Sequence, residues 1–163
     1  MKKLGTMTAI VVVSFVFQTS LFNFFDIFGT VPNISLILVV VFAMMSDGVT
    51  GGIVGIITGV LYDAMIYDVF GIYTLIYFII GSVIGCYNGD MLSENNIAYC
   101  TITAVSTVAM HLFMYLILFF LKYRVEYAGS IISSIFLEVV INTILVVFVV
   151  KFIIFIFNKL NVK

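Results

Sequence analysis

His111 and Glu138 are the two titratable side chains set deepest in the apolar runs of this 163-residue chain. At a helical rise of 1.5 Å per residue, Glu138 lies about 10 Å into its run, and His111 about 15 Å from the end of its own. A charged group at such depth costs about 2.5–3.5 kcal/mol on insertion scales, so each must face other helices and find a partner. Ser134, Glu138 and Asn142 share one helix face at four-residue steps, as do Thr107, His111 and Tyr115. Matching depth allows a hydrogen bond between His111 and Glu138 on adjacent helices. Two other readings stay open: Glu138 is protonated, or either group faces a water-filled pocket. A proton or ion carrier built on the pair would show pH-dependent flux.

The surrounding sequence offers these groups no catalytic company. One histidine and two cysteines without paired spacing, Cys86 and Cys100, are too few ligands for a zinc site. There is no phosphate-binding glycine loop, serine elbow or zincin motif, and no convincing carboxylate pair. The sequence therefore predicts no enzyme, no catalytic residue, no metal and no cofactor. Seven basic residues are scattered through a chain of net charge −1, which argues against nucleic-acid binding.

Hydrophobic residues make up 64% of the chain and charged residues 9%, where a soluble domain has about a quarter charged. The expected fold is a single all-α transmembrane domain over residues 1–163, a bundle of six helices in a lipid bilayer. The spans are Gly5 to Phe25, Pro32 to Ser46, Gly48 to Tyr62, Gly71 to Tyr87, Ile97 to Leu121 and Ser130 to Val150. The second and third are short, about 22 Å each against a hydrocarbon core of about 30 Å. They cross a thinned bilayer with tilt or form a re-entrant hairpin. Lys2, Lys3 and the run Met7 to Phe17 imitate a signal peptide, but Gln18-Thr19-Ser20 gives no cleavage signal, so an uncleaved first helix is expected. Six crossings put Lys2, Lys3, Lys151, Lys159 and Lys163 on the cytoplasmic side against Lys122 and Arg124 outside, with both termini cytoplasmic. Lys151 then marks the inner surface, and the residues after it continue as an interfacial helical tail. Cys86 and Cys100 flank the inner loop as reduced thiols. Tyr62, Tyr67, Tyr73, Tyr87, Tyr99, Tyr123 and Tyr127 mark the bilayer boundaries as amphipathic rings.

Pro32 suits a first helical turn, and Asn33 can satisfy the open donors there. Gly51, Gly55 and Gly59 form a flat stripe at four-residue steps, and Gly81, Gly85 and Gly89 form a second. Small residues let backbones approach, so each stripe seats a helix either on its own neighbours or on a partner. Asp63 is the next step of the first stripe, at the expected outer boundary. It is a solvated loop charge, or it binds the turn near Gly71 or a partner.

The ordered series Pro32-Asn33, the apolar run Ile34 to Phe42, Gly52-x-x-Gly55-x-x-x-Gly59-x-Leu61-x-Asp63, Phe70-Gly71, Tyr77 and Gly81 resembles the bacterial rod shape-determining MreD family. The likeness is specific over about residues 30–85 and departs at Ser46-Asp47-Gly48, acidic where a basic residue is expected. His111 and Glu138 lie outside the family pattern. The resemblance implies a non-enzymatic scaffold of the elongation machinery in the bacterial inner membrane, organising side-wall peptidoglycan synthesis and cell shape. It implies an MreC-like single-span partner, together with MreB filaments and a glycosyltransferase and transpeptidase pair. It also implies a helical arrangement like that of the S components of energy-coupling factor transporters. That likeness supplies the alternative function, a vitamin-binding subunit.

Overall fold

The computed structural model of the chain describes residues 2–21, 30–66, 70–87, 95–122 and 131–160. Among these residues it contains six α-helices: α1 (Lys2–Leu21), α2 (Ile34–Met44), α3 (Gly48–Ile66), α4 (Ile72–Cys86), α5 (Asn96–Phe120) and α6 (Ile131–Lys159). Four of them, α1, α3, α5 and α6, are long and apolar enough to cross a membrane, and α2 and α4 are shorter apolar helices. This is an all-α, multi-pass membrane protein. Gly89, Asp68, Tyr67, Tyr123, Tyr127, Arg124 and Lys163 lie outside the described residues.

Helix α2 forms the centre. Its sequence ISLILVVVFAM has no polar stripe to turn toward a headgroup or a solvent, and every residue from Ser35 to Met44 is buried. A helix that is apolar all round belongs inside a bundle. It packs against all five others. On one side α1 contributes Met7, Val11 and Phe15 to this core, and on another α6 contributes Val146, Val150, Ile153 and Phe157. The carboxyl-terminal end of α2 is closed by Lys3, whose Nζ donates to the Met45 carbonyl at 2.7 Å, a cation against the negative end of the helix dipole.

Three features differ from the sequence expectation: the end of α3, the packing of the α6 tail and the burial of the tyrosines. Helix α3 runs four residues past Tyr62 to Ile66 and reaches 19 residues, so the short helices are α2, with 11, and α4, with 15. Helix α6 continues without a break through Lys151 to Lys159. Its last turns are held by the protein itself: Ile153 and Phe157 are buried, and the Phe157 ring stacks on Phe42 of α2 at 6.1 Å and 6°. Lys151 thus sits within a continuous helix, exposed. The tyrosines also divide. Tyr87 is exposed as a boundary ring would be, whereas Tyr62, Tyr73 and Tyr99 are buried. Tyr62 and Tyr73 meet at 4.5 Å and both touch Tyr77, which joins α3 to α4 through an aromatic cluster; Phe15 of α1 adds its edge to Tyr62.

Candidate functional site

The amino terminus of α2 lies inside the bundle. Asn142, to which it is bonded, is eleven residues into α6, about 16 Å along that helix from Ile131. The first turn of any helix leaves backbone N–H groups unpaired, and in a hydrocarbon interior each needs a protein acceptor. Three side chains supply them here. Asn142 Oδ1 accepts from the Asn33 N–H at 3.0 Å, and Asn33 Oδ1 accepts from Leu36 N–H at 3.0 Å. Gln18 Oε1 of α1 accepts from both the N–H and the hydroxyl of Ser35, at 3.1 and 3.0 Å. Pro32, also buried, has no N–H to satisfy.

The cap extends into a layer across the bundle. Tyr77 of α4 donates its hydroxyl to Asn33 Oδ1 at 3.1 Å, and Asn142 Nδ2 donates to Thr107 Oγ1 of α5 at 3.3 Å. Thr107 in turn donates to the Thr103 carbonyl at 2.9 Å. One turn further along the same two helices, His111 Nε2 and Glu138 Oε2 are 2.8 Å apart. This second rung is less enclosed than its position suggested: Asn142 is fully buried, but the His111 side chain is 29% exposed and that of Glu138 12%. Sequence reading passed over Gln18 and Ser35. A lone glutamine in the apolar run of α1 was the available signal, since intramembrane polar groups face other helices and pair.

The two glycine stripes face each other across α3 and α4, the most extensive helix contact in the protein. A Cβ on Gly51 would lie 2.4 Å from the Gly81 carbonyl oxygen, and one on Gly81 2.3 Å from that of Gly51. At Gly55 it would meet the Tyr77 carbonyl oxygen at 2.2 Å, at Gly59 the Thr74 Cα at 2.3 Å, and at Gly85 the Asp47 carbonyl oxygen at 2.7 Å. Backbone cannot swing aside as a side chain can, so only hydrogen fits. These glycines are occupied within the chain and leave no open stripe for a partner helix.

Asp63 closes the Gly59 end of the same seam. It is 2% exposed, so it is not a solvated loop charge. Its carboxylate accepts from Gly71 N–H at 3.0 Å, Tyr73 N–H at 3.0 Å, Thr74 N–H at 2.9 Å and the Thr74 hydroxyl at 2.7 Å. The cap residue of α4 is Gly71, at φ +103°, which has no side chain to offer. A carboxylate from the preceding helix takes its place, where the positive end of the α4 dipole favours an anion. At the opposite end Asp47 caps α3, accepting from the Thr50 hydroxyl at 2.5 Å, and that bond holds its carboxyl below the ordinary carboxylate range.

The contacts of Asn33, Asn142, Tyr77 and Thr107 are all made within the chain, while Gln18 Nε2 and Thr103 Oγ1 are buried without a hydrogen-bond partner. Among the described residues no three His, Cys, Asp or Glu side chains gather as a metal site, and no nucleophile stands beside a base. The arrangement holds the helices of a polytopic membrane protein at fixed depths. The family model for the rod shape-determining protein MreD matches residues 1–156. The chain belongs to the MreD family, and the match extends well past residues 30–85. Its role therefore falls within rod shape determination. No curated protein and no solved structure matches the chain.

Proposed function

We propose that this chain is a non-enzymatic scaffold subunit of the rod elongation complex in the bacterial plasma membrane, with both termini cytoplasmic. In this role it binds an MreC-like single-span protein and so helps organise side-wall peptidoglycan synthesis by the glycosyltransferase and transpeptidase pair, in register with MreB filaments. Family membership supports the general role. The observation that carries the scaffold reading is the contrast between a polar layer at Asn33, Asn142, Tyr77 and Thr107 that is bonded within the bundle and long bare apolar helix faces. Val12 and Val16 on α1, Ile53 and Ile56 on α3, and Val108 and Leu112 on α5 are all exposed. Helices in lipid associate by van der Waals fit along such faces. Because the glycine stripes are used internally, partner contact belongs to one of these outer faces.

A photo-crosslinking scan in native membranes tests the reading, with the reactive residue placed in turn at Val16, Ile56, Val108 and Phe148. The expected result is a crosslink to the single-span partner from positions on one contiguous face. Absence of that crosslink at all four positions, with the protein present at normal level, overturns the scaffold reading.

A further inference from the structure

We propose that the open edge of the His111–Glu138 pair receives an Asn, Gln, Ser or Thr side chain from the spanning helix of a partner protein. This inference rests on the scaffold reading and names the face and the chemistry of its contact. The pair is joined but not closed. Nε2 and Oε2 are 2.8 Å apart, and among the described residues neither side chain makes a further hydrogen bond. His111 Nδ1 and Glu138 Oε1 are therefore open, on side chains 29% and 12% exposed. His111 is nine residues from Phe120 and fifteen from Asn96, about 14 and 22 Å at helical rise, so it is deep from either end of its helix.

The surroundings of that edge are apolar. Val108 and Tyr115 lie one turn to either side of His111, Leu112 is next to it, and all three are exposed. Acyl chains along this strip can neither donate nor accept a hydrogen bond, and an open polar group there is costly. A helix packed on the strip by van der Waals fit can close it.

Charge selects the complement. Out of water the pair is least costly with no net charge. One proton then lies between Nε2 and Oε2, on whichever side it rests, and the other is on Nδ1. The open edge presents one donor, Nδ1–H, and one acceptor, Oε1. A carboxamide or a hydroxyl returns one of each. Lys and Arg offer donors alone and add a charge to the site, and an ionised Asp or Glu adds the opposite charge without a donor.

The test uses the full chain and its single-span partner in native membranes. With a photoreactive residue at Val108 or Leu112, crosslinks to the partner are expected, and an Asn, Gln, Ser or Thr lies within one turn of the crosslinked partner position. His111→Leu combined with Glu138→Leu replaces the pair by apolar side chains, an exchange that buried ion pairs commonly tolerate. It is expected to lower the co-purified partner several-fold at equal protein level. Leu in place of the partner's polar residue should lower it as much, and joining the two changes should add no further loss. Partner crosslinks only at Val16, Ile56 or Phe148, no such polar residue beside the crosslink, or full partner yield from the double variant overturns this inference and leaves the scaffold reading standing. Absence of a partner crosslink at every position overturns both. Should the double variant not accumulate, the partner-side substitution decides, since it leaves this chain unaltered.

Discussion

The backbone N–H of Asn33 donates to the side-chain oxygen of Asn142 at 3.0 Å, joining residues 109 positions apart and fixing the start of the central helix against the middle of the last one. Through this bond a helix of 11 residues is seated at a defined depth. The same asparagine pair reaches Tyr77 on α4 and Thr107 on α5, so four helices share one set of polar contacts.

Asn142→Ala leaves the Asn33 N–H and the Thr107 hydroxyl without this acceptor and donor in a medium that offers no water. The expected loss is about 1–3 kcal/mol of stability, read by denaturation of the purified protein in mixed micelles. Asn95→Ala removes a cap on the exposed start of α5 and is expected to cost less. Equal losses for the two would show that the buried layer has no special weight.

Gly55→Ala places a methyl group 2.2 Å from the Tyr77 carbonyl oxygen, and the α3 and α4 backbones must separate to admit it. Overpacking of this kind costs about 1–3 kcal/mol, and Gly55→Leu is expected to abolish accumulation of the protein. A Cβ at Gly5 meets nothing within 4 Å, so Gly5→Ala should be neutral or stabilising. Any loss of partner binding in the Gly55 variants is then a consequence of lost fold, checked by comparing protein level with complex yield.

Asp63→Ala removes the acceptor of three backbone N–H groups and one hydroxyl at the start of α4. A loss of about 2–3 kcal/mol is expected, at the upper end for a buried group that leaves donors unpaired. Hydrogen exchange localises it: the amides of Gly71, Tyr73 and Thr74 should lose protection first. Unchanged protection there would contradict the capping role.

His111 and Glu138 are expected to couple by about 1 kcal/mol in a double-mutant cycle, within the range measured for interhelical hydrogen bonds in membranes. Strict additivity of His111→Ala and Glu138→Ala would mean that the 2.8 Å contact contributes nothing.

Cys86 is an exposed thiol at the end of α4 that lies beside the α2–α3 turn, while Cys100 is partly buried. In a Cys100→Ala background, a membrane-impermeant maleimide should label Cys86 only after the cells are opened. Labelling of intact cells would reverse the proposed orientation.

Much of this protein is written in residue types. Long apolar runs broken by polar turns gave the helices, since a spanning chain must pair its backbone within each segment. The four-residue spacing of Gly51, Gly55 and Gly59 pointed to close backbone contact, and the matched depths of His111 and Glu138 allowed their pairing. Tertiary structure decided the rest. It turned the two glycine stripes onto each other, carried Asp63 onto the next helix as its cap, drew Tyr62 and Tyr73 into the core, and placed α2 at the centre with Gln18 and Asn142 at its head. Hydropathy could not assign these places, because lipid tails and a protein interior are equally apolar and an apolar residue is at home in either. Only packing against particular neighbours separates a helix such as α2 from the lipid-facing surfaces around it.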